Sequence, residues 1–420
     1  MIGSLFAGIS GLNANSTAMT VIGDNIANVN TTAFKANRSS FANVLSQSLG
    51  GTSGSDIGRG VEFWGTSPLW TQGSLENTGS PTDLAISGKG FFVVQDNTGS
   101  NFYTRAGQFH LDEAGDMVNP DGYLVQGYQI DAAGNLGNLT TISIPGERIS
   151  APSATTEFSF DLNLDSQTAT NGTYSTSQTV FDSLGNAIPM TVTFTKTANL
   201  REWTASASIP ASAGSGVGFN PGPGSPPVPA ATASTTLTFD SAGNLTSPAS
   251  DQTLRFTLTN GATDPLDITW LLRDASGASL EDITGFSSSS TTTFQHQDGY
   301  TSGVLRGISV DEQGVVTAAY SNGQLTPTYQ ISLADFPSYD GLAKLGQNLY
   351  AESLASGQPM PGTAGNGRLG SITPGAVEMS NIDLAQEFVK MITTQRAFQA
   401  NSRVITTSDE ILSELINIKR

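Results

Sequence analysis

From Ile2 through Leu5, Ile9, Leu12, Ser16, Met19, Gly23 and Ile26, apolar or small residues recur in alternating steps of three and four. The same steps return from Leu384 through Phe388, Met391, Gln395, Phe398, Ser402, Ile405, Asp409, Leu412 and Ile416. That spacing lines one side of an α-helix, so it predicts an amphipathic helix at each terminus. The first is expected over Ser4 to Asn28, about 37 Å at roughly 1.5 Å per residue. Gly8, Gly11 and Gly23 interrupt it, each costing about 1 kcal/mol against alanine, so it needs a packing partner. The second has Ser380 or Asn381 as the expected N-cap, with Asp383 and Glu387 near its positive end. The two helices can pack on one another and on further copies; packing on the chain's own body satisfies the periodicity equally well.

Between the helices the pattern changes to period two. Segments such as Phe91 to Val94, Met190 to Thr195, Thr235 to Phe239 and Leu254 to Leu258 carry the β-branched and aromatic content of strands. One turn chemistry recurs, an Asp followed three residues later by Gly, beginning at Asp112, Asp131, Asp182, Asp240, Asp274 and Asp311. Asp caps a type I turn with its side chain and Gly supplies the left-handed residue that closes a hairpin. The fold class expected is mainly β with α-helical termini. The chain is discontinuous and multi-domain, its terminal helices pairing as a coiled-coil-like layer and two β-rich domains nesting between them.

The expected boundaries follow. Residues 1–30 and 380–420 form the helical assembly domain, and 31–75 with 356–379 form an extended connecting region, Gly/Ser/Pro-rich at Leu45 to Gly60 and Ser356 to Gly375. Residues 76–150 and 295–355 form an inner β domain and 151–294 an outer one. Within the latter, 210–234 is so rich in Pro, Gly, Ala and Ser that an exposed loop is expected there.

Composition narrows the function. The formal charge is −18 over 420 residues. Residues 1–45 hold only Asp24 against Lys35 and Arg38, and residues 380–420 hold five acids and five bases, so the excess negative charge lies in the middle. Such a middle repels phosphates and anionic lipid, so neither nucleic acid nor membrane insertion is expected. The absence of cysteine removes disulfides and thiolate chemistry. The N-terminus lacks a cleavable signal pattern, its first basic residue being Lys35.

Candidate chemistry is sparse. His110 and His296 have no ligand partner at a metal-binding spacing, and no G-x-S-x-G elbow is present. Gly88-Lys89-Gly90 runs into a strand and reads as a turn. Asp112, Glu113 and Asp116 read as hairpin residues, without the spacing of a calcium loop. No enzyme, metal or cofactor is expected.

The motifs resemble those of a family. Gly11-Leu12-Asn13-Ala14 and Val21 to Lys35 (VIGDNIANVNTTAFK) are similar to the N-terminal signature of bacterial flagellar rod and hook axial proteins. Ser380 to Phe388 (SNIDLAQEF), Gln395 to Asn401 (QRAFQAN) and Ile405-Thr406-Thr407 resemble their C-terminal signature. Leu84 to Val94 and Thr104-Arg105-Ala106-Gly107 resemble the shared β domain. The chain's length, Phe181 to Asn186, Leu333 to Pro337, Gly341-Leu342, Asn348 to Tyr350 and Ser356 to Pro359 point to the hook branch.

This resemblance implies a subunit that polymerises into a curved, flexible tube, a universal joint passing motor torque to a filament. Implied partners are further copies, a hook cap protein, the distal rod, hook-filament junction proteins and the flagellar export apparatus, with export to the hook occurring without a cleaved signal. Another axial protein, a rod or junction subunit, and more remotely a secreted β-rich adhesin, are the alternatives. The expected assembly residues are Leu5, Ile9, Leu12, Met19, Ile26, Asn28, Phe34, Leu384, Phe388, Met391, Phe398, Ile405, Leu412 and Ile416, with Gln386, Thr393, Asn401 and Ser402 on opposite, polar faces. Ala33 departs from the family's usual Gly; a positive φ there would cost about 1 kcal/mol.

Overall fold

The computed structural model describes all residues except 1, 45–46, 49–55, 58, 132, 146–148, 222–233, 274–281 and 419–420. The chain divides into two units, the first comprising Met1–Gly146, Gly307–Ala319 and Leu325–Arg420, the second Glu147–Arg306 and Tyr320–Gln324.

The first unit carries both helices, α1 over Ile2–Ala27 and α2 over Leu384–Ile418. Asp383 caps α2, its Oδ1 accepting the Ala385 and Gln386 amides at 2.9 and 3.2 Å. The N-cap is therefore two or three residues later than expected, because Asn381 is engaged elsewhere. Strand Phe91–Gln95 is central to the β body and pairs antiparallel with Asn101–Thr104, Leu124–Ile130 and Leu325–Asp335. Phe91 to Val94 are all buried, as befits a strand covered on both faces. Phe91, Val93, Tyr103, Phe336, Leu342 and Tyr350 share one core with Trp70 and Tyr339 packed on it.

The segments expected to connect as extended linkers contain strands instead. Asn37–Asn43 and Val61–Pro68 form an antiparallel hairpin. Leu75–Asn77 pairs with Ala376–Glu378, Leu84–Ser87 with Ser371–Pro374, and Met360–Thr363 with Leu325–Asp335. Backbone hydrogen bonds suffice for such clips, so a segment poor in apolar side chains can still pair. Most of Leu45 to Gly60 lies outside the described residues.

The second unit is a sandwich. One sheet runs in the order Thr173–Phe181, Ala187–Lys196, Glu202–Ser208, Thr235–Phe239, Leu245–Ser247. The other contains Gly214–Pro221, Gln252–Leu258, Leu266–Trp270 and Glu157–Asn163 in that order, with Ile283–Thr284 and Thr291–Gln297 flanking the last. Strict alternation of buried and open residues, as over Glu157–Asn163 and Ala187–Lys196, turns one face of each sheet inward. Phe158, Phe160, Met190, Phe194, Trp203 and Trp270 fill the shared core. Gly214–Pro221 is a strand paired with Gln252–Leu258, where the sequence suggested only loop; the rest of that expected loop is largely outside the described residues.

The Asp turns form as expected at Asp112, Asp131, Asp182, Asp240 and Asp311. In each, Oδ1 accepts the amides two and four residues on, at 2.8 to 3.0 Å, and the Gly has positive φ. Asp274 lies outside the described residues.

Candidate assembly surface and the elbow that positions it

The two helices pack antiparallel, with Gly8 beside Ile405 and Asn25 beside Glu387. The buried stripe of α1 is Gly8, Gly11, Ala14, Ala18, Ile22 and Asn25, still in steps of three and four but phased away from the expected seam. Small residues let the backbones approach. A Cβ on Gly11 would sit 2.7 Å from Asn401 Nδ2, and one on Gly8 would sit 3.2 Å from Ile405 Cγ1. These two glycines therefore do packing work, whereas a Cβ on Gly23 meets nothing within 4 Å. Asn401 faces α1, a correction to its placement on the outer polar face.

The expected assembly residues fall into three groups. Leu5, Leu12, Met19, Ile26, Met391, Phe398, Ile405 and Leu412 are half-buried and flank the interhelical contact. Ile9, Leu384 and Phe388 are exposed. The side chain of Ile416 lies outside the described residues. Sequence reasoning missed further apolar side chains on the open surface: Phe6 is 61% exposed, Val389 62% and Ile392 51%, beside Phe388 at 49%. Leu384, Phe388 and Ile392 lie four residues apart and so share a face of α2. No described helix is long and apolar enough to cross a membrane.

Asn28 and Phe34 belong to an elbow joining helices to β body. Asn28 donates to the Asp24 carbonyl at 2.9 Å and accepts from Thr31 Oγ1 at 3.1 Å, closing the end of α1. Phe34 is half-buried, and its carbonyl accepts the Asn381 amide. Ala33 is wholly buried with φ 58°, and its amide donates to the Glu378 carbonyl at 2.7 Å. Ala33 thus holds a backbone conformation that glycine adopts at no steric cost.

Three asparagines tie the elbow down. Asn25 exchanges two hydrogen bonds with the Asn37 backbone, at 2.9 and 2.8 Å. Asn381 accepts the Ala36 amide at 2.8 Å and donates to the Leu69 and Thr71 carbonyls at 2.8 and 3.0 Å. Asn348 donates to the Thr32 carbonyl at 2.8 Å.

Beneath them lies a buried charge cluster that no motif spacing announced. Glu378 Oε1 meets Lys35 Nζ at 2.5 Å and Oε2 meets Arg105 Nη1 at 3.1 Å. Oε1 also accepts the Gly73 amide at 2.9 Å. Burial pushes the Lys35 ammonium below its usual range; Glu378 opposes that shift and Arg105 adds to it.

Four family profiles match the chain: "Flagella basal body rod protein" over residues 5–35, "Flagellar hook protein FlgE/F/G D1 domain" over 85–163, "Flagellar basal body protein FlaE D2 domain" over 148–300 and "Flagellar basal body rod FlgEFG protein C-terminal" over 373–418. The chain is similar to the flagellar hook protein FlgE of Escherichia coli, 37% identical over 98% of both chains. It is also similar to that of Treponema pallidum, 34% identical over the whole of both, and that of Salmonella typhimurium, 36% identical over 98% of both. With the paired terminal helices and the nested β units already in place, this full-length similarity shows that the chain belongs to the flagellar hook protein family.

Proposed function

We propose that this chain is a structural subunit of the flagellar hook, polymerising into a curved, flexible tube that passes motor torque to the filament. The observation that carries the reading is the open apolar face of α2. Leu384, Phe388, Val389 and Ile392 remain exposed although α1 already covers the opposite side of the helix. An apolar face left open beside a finished intrachain contact is suited to further copies of the same helix pair. Completing the burial of one such phenylalanine is worth about 1 kcal/mol, repeated at every copy in the tube.

The half-buried residues from Leu5 to Leu412 serve both contacts, their inner side toward the partner helix and their outer side toward neighbours. Cap protein, distal rod, junction proteins and export apparatus are the partners this role requires. This role puts the subunit in the hook, outside the cell, and calls for no catalysis.

The test is Phe388→Asp. It is expected to abolish tube formation in a hook-deletion strain while the purified chain keeps its β circular dichroism and melting temperature. Normal hooks from this variant would refute the reading.

A further inference from the structure

We infer that Glu378 is the positioning residue that holds the helix pair in fixed register on the β body of the first unit, so that twist applied to the helices is carried into the sheet. The mechanical half of this inference rests on the hook-subunit reading; the structural half does not.

The chain passes between helices and β body twice, outward after α1 and back before α2. Both crossings meet at this one residue. Its carbonyl accepts the Ala33 amide at 2.7 Å, and its carboxylate takes Lys35, two residues further along the outward crossing. The same carboxylate takes the Gly73 amide and Arg105. Arg105 is in turn fixed to the sheet, donating to the Gly88 carbonyl at 2.5 Å and lying over the Phe91 ring at 5.6 Å. Lys35 reaches the Thr71 carbonyl at 2.9 Å. One fully buried carboxylate thus joins the outward crossing, the returning crossing and the central strand.

The charge count gives the arrangement a signature. Two buried cations face one carboxylate, so removing Glu378 leaves both cations unneutralised, whereas removing Lys35 leaves the balanced Arg105–Glu378 pair. A site that merely filled space would respond alike to either change.

Hydrogen exchange of the full-length chain, followed by mass spectrometry, tests this. Glu378→Gln keeps the volume and removes the charge. It is expected to speed exchange over residues 31–36 at least tenfold while leaving 91–95 unchanged; Lys35→Met is expected to speed 31–36 less than threefold. Unchanged exchange at 31–36 in Glu378→Gln, equal effects of the two variants, or loss of protection at 91–95 would each overturn the inference. Hooks assembled from Glu378→Gln are expected to show at least a twofold greater torsional compliance than wild type. Unchanged compliance with an opened elbow would overturn the torque-carrying role alone. Failure of the wild-type chain to form hooks would instead count against the proposed function, leaving the exchange result standing.

Discussion

Gly11→Ala and Gly23→Ala make the same chemical change in the same helix, and the structure assigns them opposite outcomes. At position 23 the new methyl meets nothing within 4 Å, so only the helix-propensity gain operates, about 1 kcal/mol of stabilisation. At position 11 the methyl would lie 2.7 Å from Asn401 Nδ2 and 2.9 Å from Cγ. Asn401 must then move or the helices must part, at about 1 to 3 kcal/mol. Set against the same propensity gain, the result is a loss of up to about 2 kcal/mol. Denaturation of the full chain followed by the helical signal at 222 nm reads both values. A double-mutant cycle isolates the cause: Asn401→Ala clears the space, so Gly11→Ala should become stabilising in that background, with a coupling of about 1 to 3 kcal/mol. Equal shifts for the two glycines, or zero coupling between positions 11 and 401, would refute the close-approach account of this seam.

Asp182→Ala should destabilise the second unit by about 2 to 4 kcal/mol, because the fully buried carboxylate takes the Leu184 and Asn186 amides and the Asn186 and Asn260 side chains; calorimetry reads this. Burial alone would raise the Asp182 pKa, but those hydrogen bonds outweigh it and hold it below the usual carboxylate range. Its contribution should therefore be present above about pH 4 and fade as pH falls through the depressed value, a loss absent from Asp182→Asn. The Lys35 pKa is lowered by burial despite Glu378, with Arg105 adding to the shift. Wild type should therefore gain stability relative to Lys35→Met as pH rises from that lowered value toward the ordinary lysine value of 10.5, measured as the difference in denaturation midpoints. Ala33→Val should cost more than about 2 kcal/mol, since a β-branched side chain enters a wholly buried position at φ 58°; Ala33→Gly, relieving the backbone while losing a buried methyl, should shift the midpoint little.

Local chemistry was the legible part of the sequence. An Asp that caps its own turn needs no distant partner, so five such turns could be placed from residue spacing alone, and the Asp96–Gly99 turn, built likewise, passed unnoticed. The mainly β class with paired terminal helices was legible because periods of 3.6 and two are written in long stretches. The phase of the helical seam was not. Bulky apolar residues dominate a pattern, yet four of the six buried positions of α1 are glycine or alanine, which allow closeness rather than add hydrophobicity. The elbow was hidden for another reason. Lys35 and Glu378 are 343 residues apart, and Arg105 and Glu378 are 273; nothing in a single sequence marks which distant charges will meet. Strands clipped across the returning segment Met360–Glu378 were obscured by their glycine, proline and serine content.

A helix pair whose first helix lines its inner face mostly with glycine and alanine, while Phe6, Phe388 and Val389 stand exposed, departs from an ordinary soluble hairpin. Its stickiest surface is also its outermost, so unincorporated subunits are prone to clump wherever they accumulate. A cell making this protein must then match synthesis to consumption at the growing tip, or shield the tails until they arrive there.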